Sequence, residues 1–226
     1  MTSERSFDDL SVRVLLSDAL EERDRAAVFG LFDRSYRRAN HAYLEQSLTR
    51  LRYLALATHG GTPAGFALAE TRRLSLPRIG ETVVALNGLC CIAPAFRRRG
   101  LMGHLEVLAS SASGIVAAAG ERKLSAGRMG HPVGVRLMAR NPTMVPQPGK
   151  TPTAWQQEVG LTIAEAYGSR LDPETFVCTG DGTPVGYPEL DVDATDAEWT
   201  RFAKVDRDRG QSLLTIAWGP DAPPGW

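Results

Sequence analysis

Residues 11–16, SVRVLL, alternate polar and apolar side chains, which is the period-two signature of a short strand. Asp18 and Glu21 follow at the spacing of a helix cap and its reciprocal partner. Ala26, Ala27, Phe29, Leu31 and Phe32 then give an apolar face to a helix expected to end near Arg38. A second short helix is expected over about 43–51. Residues 53–58 and 65–70 are β-type runs separated by a Gly-Gly-Thr-Pro turn, and 81–91 (ETVVALNGLCC) is a third. Leu101, Leu105, Leu108, Ala112 and Ile115 recur at i, i+4, i+7, i+11 and i+14, one stripe of an amphipathic helix expected to reach Gly120. Residues 123–129 read as a strand, and 132–140 as a helix with proline in its first turn and Asn141-Pro142 after it.

The last third changes character. Thr153/Gln156 and Thr195/Glu198 have capping-box spacing, which predicts helices over 154–167 and 196–205. The Gly/Pro/Asp-rich stretch between them reads as loop and turns, and SLLTIAW (212–218) as a final strand. Residues 143–145 are the one short candidate to pair with that strand. The whole is mixed α/β: a single domain over 11–226, with 147–211 an insertion between its last two strands. Trp155, Tyr167, Phe176, Tyr187 and Trp199 fall in that elaboration and read mainly as core or interface material. The acidic run over 189–198 reads as a solvated face.

Composition narrows the function without naming it. Lys plus Arg and Asp plus Glu number 26 each among 226 residues, so nothing global draws the chain to nucleic acid or an anionic membrane, and any basic site must be local. No apolar run approaches the ~20 residues of a spanning helix, and the polar, acidic start MTSERSFDD is no signal peptide. Three cysteines, of which Cys90 and Cys91 are adjacent, form neither a disulfide framework nor a zinc pattern. A soluble protein of a reducing cytoplasm is expected, without a metal.

One junction stands out. In Ile92-Ala-Pro-Ala-Phe-Arg-Arg-Arg-Gly-Leu-Met-Gly-His-Leu105 a β run gives way to a helix through three arginines and two glycines. Pro94 stops the ladder. A helix N-terminus leaves N–H groups free and carries positive partial charge, so it binds anions. Gly100 and Gly103 permit a positive-φ turn or a close backbone approach, and Arg97, Arg98 and Arg99 add charge. Together they suit a pyrophosphate. The plainer alternative is a solvated basic turn ahead of a surface helix.

Ile92-x-Pro94-x-x-Arg97-x-x-Gly100 resembles the acetyl-CoA motif of the GNAT superfamily of N-acetyltransferases, V-x-P-x-x-R-x-x-G-x-G/A. The run GTPAGFALAE, and the two helices before the first hairpin, are similar to that family too, over about residues 11–146. The resemblance implies a mixed, mostly antiparallel sheet splayed at its middle, with helices on both faces. It implies acetyl-CoA as cofactor, with pantetheine lying in the splay beside Cys91 and Ile92, and the Ile92 N–H aimed at the thioester carbonyl. The amides of Arg99, Gly100, Leu101, Met102 and Gly103 would hold the pyrophosphate. Met102 departs from the pattern, with the small residue, Gly103, one place late.

The resemblance also implies acyl transfer by direct attack on an amine of a small molecule or protein, with a homodimer left open. The family's glutamate base falls at Asn87, which could position a water. Its acid, a tyrosine within N-x-x-A-x-x-L-Y, falls at Met138 when His131, Gly134 and Leu137 take the other places of the frame. Three alternatives stay open: a non-catalytic acyl-CoA-binding or regulatory module, an O-acyltransferase, and an unrelated α/β phosphate-binding protein. His131 could approach the cofactor thiol or simply cap a helix. His41 and Glu70 could act as bases or lie solvated. Cys90 and Cys91 read as packing thiols, and Arg34, Arg37 and Arg38 as a solvated helix face.

Overall fold

The computed structural model describes residues 7, 9–136, 138–179, 187–188 and 193–226. In chain order these form β1 (Ser11–Leu16), α1 (Glu22–Ser35), β2 (Tyr36–Arg37), α2 (His41–Arg50), β3 (Tyr53–His59), β4 (Thr62–Leu76), β5 (Gly80–Ile92) and α3 (Leu101–Ser111). There follow β6 (Lys123–Met129), α4 (Pro132–Val135), α5 (Ala154–Ala166), β7 (Leu171–Asp172), β8 (Val177–Cys178), β9 (Tyr187–Pro188), α6 (Asp196–Thr200) and β10 (Ser212–Trp218). Leu137 and the start of the acidic run, 189–192, lie outside the described residues.

Eight strands form one sheet in the order β1-β3-β4-β5-β6-β10-β8-β7. Every neighbouring pair is antiparallel except β5 and β6, which run parallel. Alternation along β3 and β4 sorts side chains by size. Leu54, Leu56, Phe66 and Leu68 enter a large core with α1 (Val28, Leu31, Phe32), α2 (Leu44, Leu48) and α5 (Val159, Ile163). Ala55, Ala57, Ala67 and Ala69 line the other face, where the Leu101, Leu105 and Ala109 stripe of α3 settles on them. Small residues there let the helix approach closely. The β3–β4 loop is Gly60-Gly61 alone, both at positive φ (52° and 82°), the conformation a two-residue hairpin of right-handed twist requires.

β10 is buried along its whole length, as a strand covered on both faces should be. Its far edge meets β8 and, at a single rung, Val145: Val145 N–H donates to Ile216 O (2.8 Å) and Ile216 N–H to Val145 O (2.9 Å). This is the contact expected of 143–145.

Several elements differ from expectation. The N-cap of α1 is Glu21 and it makes no side-chain cap bond, so Asp18 and Glu21 do not form a capping box. α1 ends at Ser35 because Tyr36–Arg37 leaves to pair with β9. α3 stops at Ser111, well short of Gly120, so Ala112 and Ile115 are not in its stripe. There the Ser113 hydroxyl donates to Ser110 O and accepts from Ile115 N–H (both 3.1 Å), a local turn that competes with helix, and Gly114 takes φ 69°. α4 is one turn, not nine residues. β4 and β5 outrun their apolar patterns because the hairpin stays paired down to Leu76↔Gly80. Both later capping boxes form with both reciprocal bonds, although α6 ends at Thr200 and not at 205. The β7–β8 hairpin, read as loop, is too short to carry a period. No described helix is long and apolar enough to cross a membrane.

Candidate functional site

The parallel ladder between β5 and β6 ends at Asn87↔Gly127, yet β5 continues to Ile92 and β6 to Met129. Beyond that rung the two strands part. The cause lies in β5, where the register against β4 shifts between Ala67↔Cys90 and Ala69↔Asn87. An extra residue on one strand is a bulge, which bends it. Gly88 sits in that bulge, and a Cβ there would lie 2.4 Å from Leu51 Cδ1 and 3.2 Å from Leu68 Cβ. Glycine is needed for fit.

Backbone direction at the open end follows from the neighbouring rung. Ala93 N–H donates to Ala64 O (2.9 Å), so Ala64/Ala93 is a hydrogen-bonded pair. The adjacent Gly65/Ile92 pair is then a non-hydrogen-bonded one, with the Ile92 N–H and C=O turned away from β4 into the opening. Arg97 Nε donates to that carbonyl (3.0 Å) and ties the arginine turn back to the strand end.

The turn itself is left-handed at two positions. Arg98 has φ 63° and Gly100 φ 83°, and Gly100 is the N-cap of α3. A left-handed N-cap aims the first amides of the helix, those of Leu101, Met102 and Gly103, out of its end. A Cβ at Gly103 would meet nothing within 4 Å. That glycine is not demanded by the protein's own packing. Arg99 pairs with Asp9 (3.3 Å) and lies 5.7 Å from the Phe96 ring centroid.

At the apex of the opening the freed carbonyls are satisfied by a residue the sequence did not indicate. Tyr167, just past α5, places its hydroxyl 2.9 Å from Asn87 O and 3.0 Å from Ala126 O, sharing one proton between them. Burial pushes that phenol well above its ordinary range, so it stays a neutral donor. Asn87 Nδ2 donates to Ser125 Oγ and Ala126 O (both 3.1 Å), which holds the last rung.

The side chains assigned to chemistry are mostly engaged elsewhere. His131 is the N-cap of α4, its Nδ1 accepting from Val133 N–H (3.2 Å), and its ring stands edge-on to Trp199 at 5.0 Å. Burial, then the cations of Arg207 and Arg136, lower its pKa, so the ring is neutral with its proton on Nε2. Met138 Sδ accepts from Thr215 Oγ1 (3.2 Å). Burial raises the Cys91 thiol to about 12 and Cys90 well above its ordinary value, which makes both poor nucleophiles. His41 sits exposed on α2, its Nε2 2.6 Å from Asp33 Oδ1, and Glu70 accepts from Arg52 N–H (3.1 Å) and Arg72 (2.7 Å).

Two other titratable groups lie near the β5 thiols. Tyr36 is near enough to Cys91 and Cys90 to feel their charge, and burial raises its hydroxyl well above the usual range. Glu106 of α3 acts on Cys90 and Tyr167, and burial lifts its carboxyl to about 7. A carboxylate one helical step from an apolar stripe was the available sequence signal for Glu106. For Tyr167 there was none, because 80 residues separate it from Asn87.

No family model matches the chain, and no curated protein does. Among solved structures it is similar to the aminoglycoside acetyltransferase meta-AAC0020 from an uncultured soil metagenomic sample, in complex with trehalose. That likeness has 12% identity over 58% of this chain and 85% of the other, with a TM-score of 0.38. Aminoglycoside N-acetyltransferase AAC(6')-Iy in complex with CoA aligns at 17% identity, over 57% and 82% of the two chains, with a TM-score of 0.37. The NatC complex bound to Gag peptide and CoA aligns at 14%, over 57% and 81%, with a TM-score of 0.36. At such scores the likeness carries no weight by itself. The architecture rests on this chain's own sheet: it is mixed, mostly antiparallel and opened at its middle, as the resemblance to the GNAT superfamily implied.

Proposed function

We propose that the chain is a GNAT-type acyltransferase, moving an acetyl group from acetyl-CoA to an amine by direct attack. The observation that carries this is the pairing of an opened parallel ladder with a glycine-capped helix at its mouth. One offers the Ile92 N–H to a thioester oxygen, the other a set of free amides to a diphosphate. The residues fit the cofactor. The Leu101, Met102 and Gly103 amides would hold its pyrophosphate, with Arg98 and Arg99 nearby, and the edge of β5 near Cys91 would pair with pantetheine amides. When bound, acetyl-CoA supplies an activated acyl carbon. The protein orients that carbon, excludes water and stabilises charge on its oxygen. Residues 147–211 form an insertion before the final strand, and α5 within it closes the apex through Tyr167.

Gly103→Asp tests the assignment. Its Cβ meets nothing, so melting temperature should hold, while a carboxylate in the cradle should weaken CoA by at least tenfold, about 1.4 kcal/mol. Unchanged affinity by calorimetry sinks the cofactor site. A second reading, an acyl-CoA-binding module without turnover, is favoured by one set of contacts: Asn87 Nδ2, His131 Nδ1 and Met138 Sδ all serve structural bonds. Thioester turnover against a panel of amines separates the two.

A further inference from the structure

The opening lacks the proton donor expected at Met138, and acyl transfer leaves a thiolate behind. We infer that Glu106 is the general acid of this reaction, protonating the coenzyme A sulfur from the α3 side of the opening. The inference rests on the acyl-transfer reading above.

The geometry is as follows. On α3 the Leu101–Leu105–Ala109 stripe lies on the alanines of β3 and β4. Glu106 is a further 100° round the helix and one turn behind Met102, whose amide belongs to the anion cradle. His104, on the opposite flank of α3, stacks on Phe7 ahead of β1 (4.7 Å), so Glu106 lies on the flank toward β5, where its charge is felt at Cys90 and Tyr167. A cofactor running from the cradle to the apex therefore passes this carboxyl. Glu106 makes no hydrogen bond or ion pair with any described residue, unlike Glu70, Glu121, Glu158 and Glu198, each of which holds an arginine. The facing groups are few. Among the described residues β3 and β4 present alanines, β5 presents Cys90, the C-cap of α5 is the neutral Tyr167, and Arg128 of β6 donates to Ser212 Oγ, its charge felt at Tyr167 and Cys178.

Magnitudes choose among the donors. A free thiol titrates near 8.5. A proton from Glu106, held at about 7, moves to a thiolate downhill. One from Tyr36 or Tyr167, both raised above 10, would move uphill. The step balances: the amine nitrogen bonds to the carbonyl carbon, and the C–S bond breaks with its electron pair on sulfur. The Glu106 carboxyl proton then gives the thiol, and the proton the nitrogen sheds on becoming an amide restores the carboxyl through water.

Glu106→Gln keeps the shape and removes the proton. Turnover should fall roughly a hundredfold, the low end for a general acid, with CoA affinity within twofold. The decline of kcat with rising pH near neutrality should vanish, and a thioester of a more acidic thiol should recover most of the lost rate. An unchanged rate overturns the assignment, as does a loss of affinity matching the loss of rate. A separate readout needs no turnover: ultraviolet titration of the thiol of bound coenzyme A. Removing a neighbouring carboxylate should lower that thiol's pKa in the variant, and an unmoved value overturns the placement. If wild-type protein binds acetyl-CoA yet acylates no amine, the function proposal fails alone, and this titration still judges the position of Glu106.

Discussion

The two banks of the β5–β6 opening are built from different materials. On the β5 and α3 bank the groups proposed to bind the cofactor are main-chain amides, placed by the bulge at Gly88, the left-handed Gly100 and the free first turn of α3, and Glu106 is the one side chain there proposed for chemistry. On the β6 and α4 bank the groups expected to act are side chains, and they have been drawn into structure. His131 caps α4, Met138 takes a hydrogen bond from Thr215, and Arg136 is held by Glu198 and by Asp193 O. A site made of backbone can survive substitution of its side chains, as the proposed cradle would with Met102. A site made of side chains can be converted to packing by single changes.

The most severe way to break the contrast is to remove what supports the second bank. Deleting residues 212–226 takes away β10, which pairs with β6 on one edge and with β8 and Val145 on the other. It also removes Trp226, whose Nε1 donates to Thr143 O (2.7 Å) and whose ring stands edge-on to Trp155 and Trp218. No cooperative melting transition should remain. A truncated chain that melts at the parental temperature would make β10 an appendage and the insertion proposal wrong.

Smaller, but on the first bank, is the cost of keeping Glu106. The folded chain holds that proton to about 7, against an ordinary 4.5. Between those values the folded state binds more protons than the unfolded one, so stability should fall as pH rises from about 4.5 to 7 and stay low above. Glu106→Gln should lack this slope and, at pH 8, be more stable than the parent by up to about 3 kcal/mol. Parallel stability profiles for the two proteins would contradict the burial of this carboxyl.

At the apex, Tyr167→Phe leaves the Asn87 carbonyl without its hydroxyl donor and the Ala126 carbonyl with Asn87 Nδ2 alone. Chemical denaturation should register a loss of about 1–2 kcal/mol. No loss would mean that water already serves both carbonyls and that the tyrosine does not close the ladder.

The smallest effect sharpens the comparison most. Asparagine is a good N-cap, so His131→Asn should match wild type in stability to within about 0.5 kcal/mol, whereas His131→Ala should lose about 1. Turnover of the Asn variant should stay within twofold. A stable Asn variant with crippled turnover would return the second bank to chemistry.

Much of this was written in local sequence. The alternating Leu and Ala of β3 and β4 sort themselves onto two faces because consecutive strand side chains point opposite ways. The Thr153/Gln156 and Thr195/Glu198 boxes start their helices wherever they lie, since the bonds involved span three residues. The proposed cradle is equally local, with Gly100 and the first amides of α3 within four residues. Tertiary structure alone decided the remainder. The ladder opens because a bulge, invisible to any period, meets Leu51 and Leu68 at Gly88. Tyr167 reaches the apex because α5 packs on the large core. Glu106 is half-buried because α3 lies flat on a row of alanines. α3 ended at Ser111 against the pattern for the same reason in miniature, because the Ser113 hydroxyl's bonds to Ser110 and Ile115 outweighed periodicity. Spacing fixes what neighbours in the chain can do for one another, while burial and charge are set by whatever the fold brings alongside.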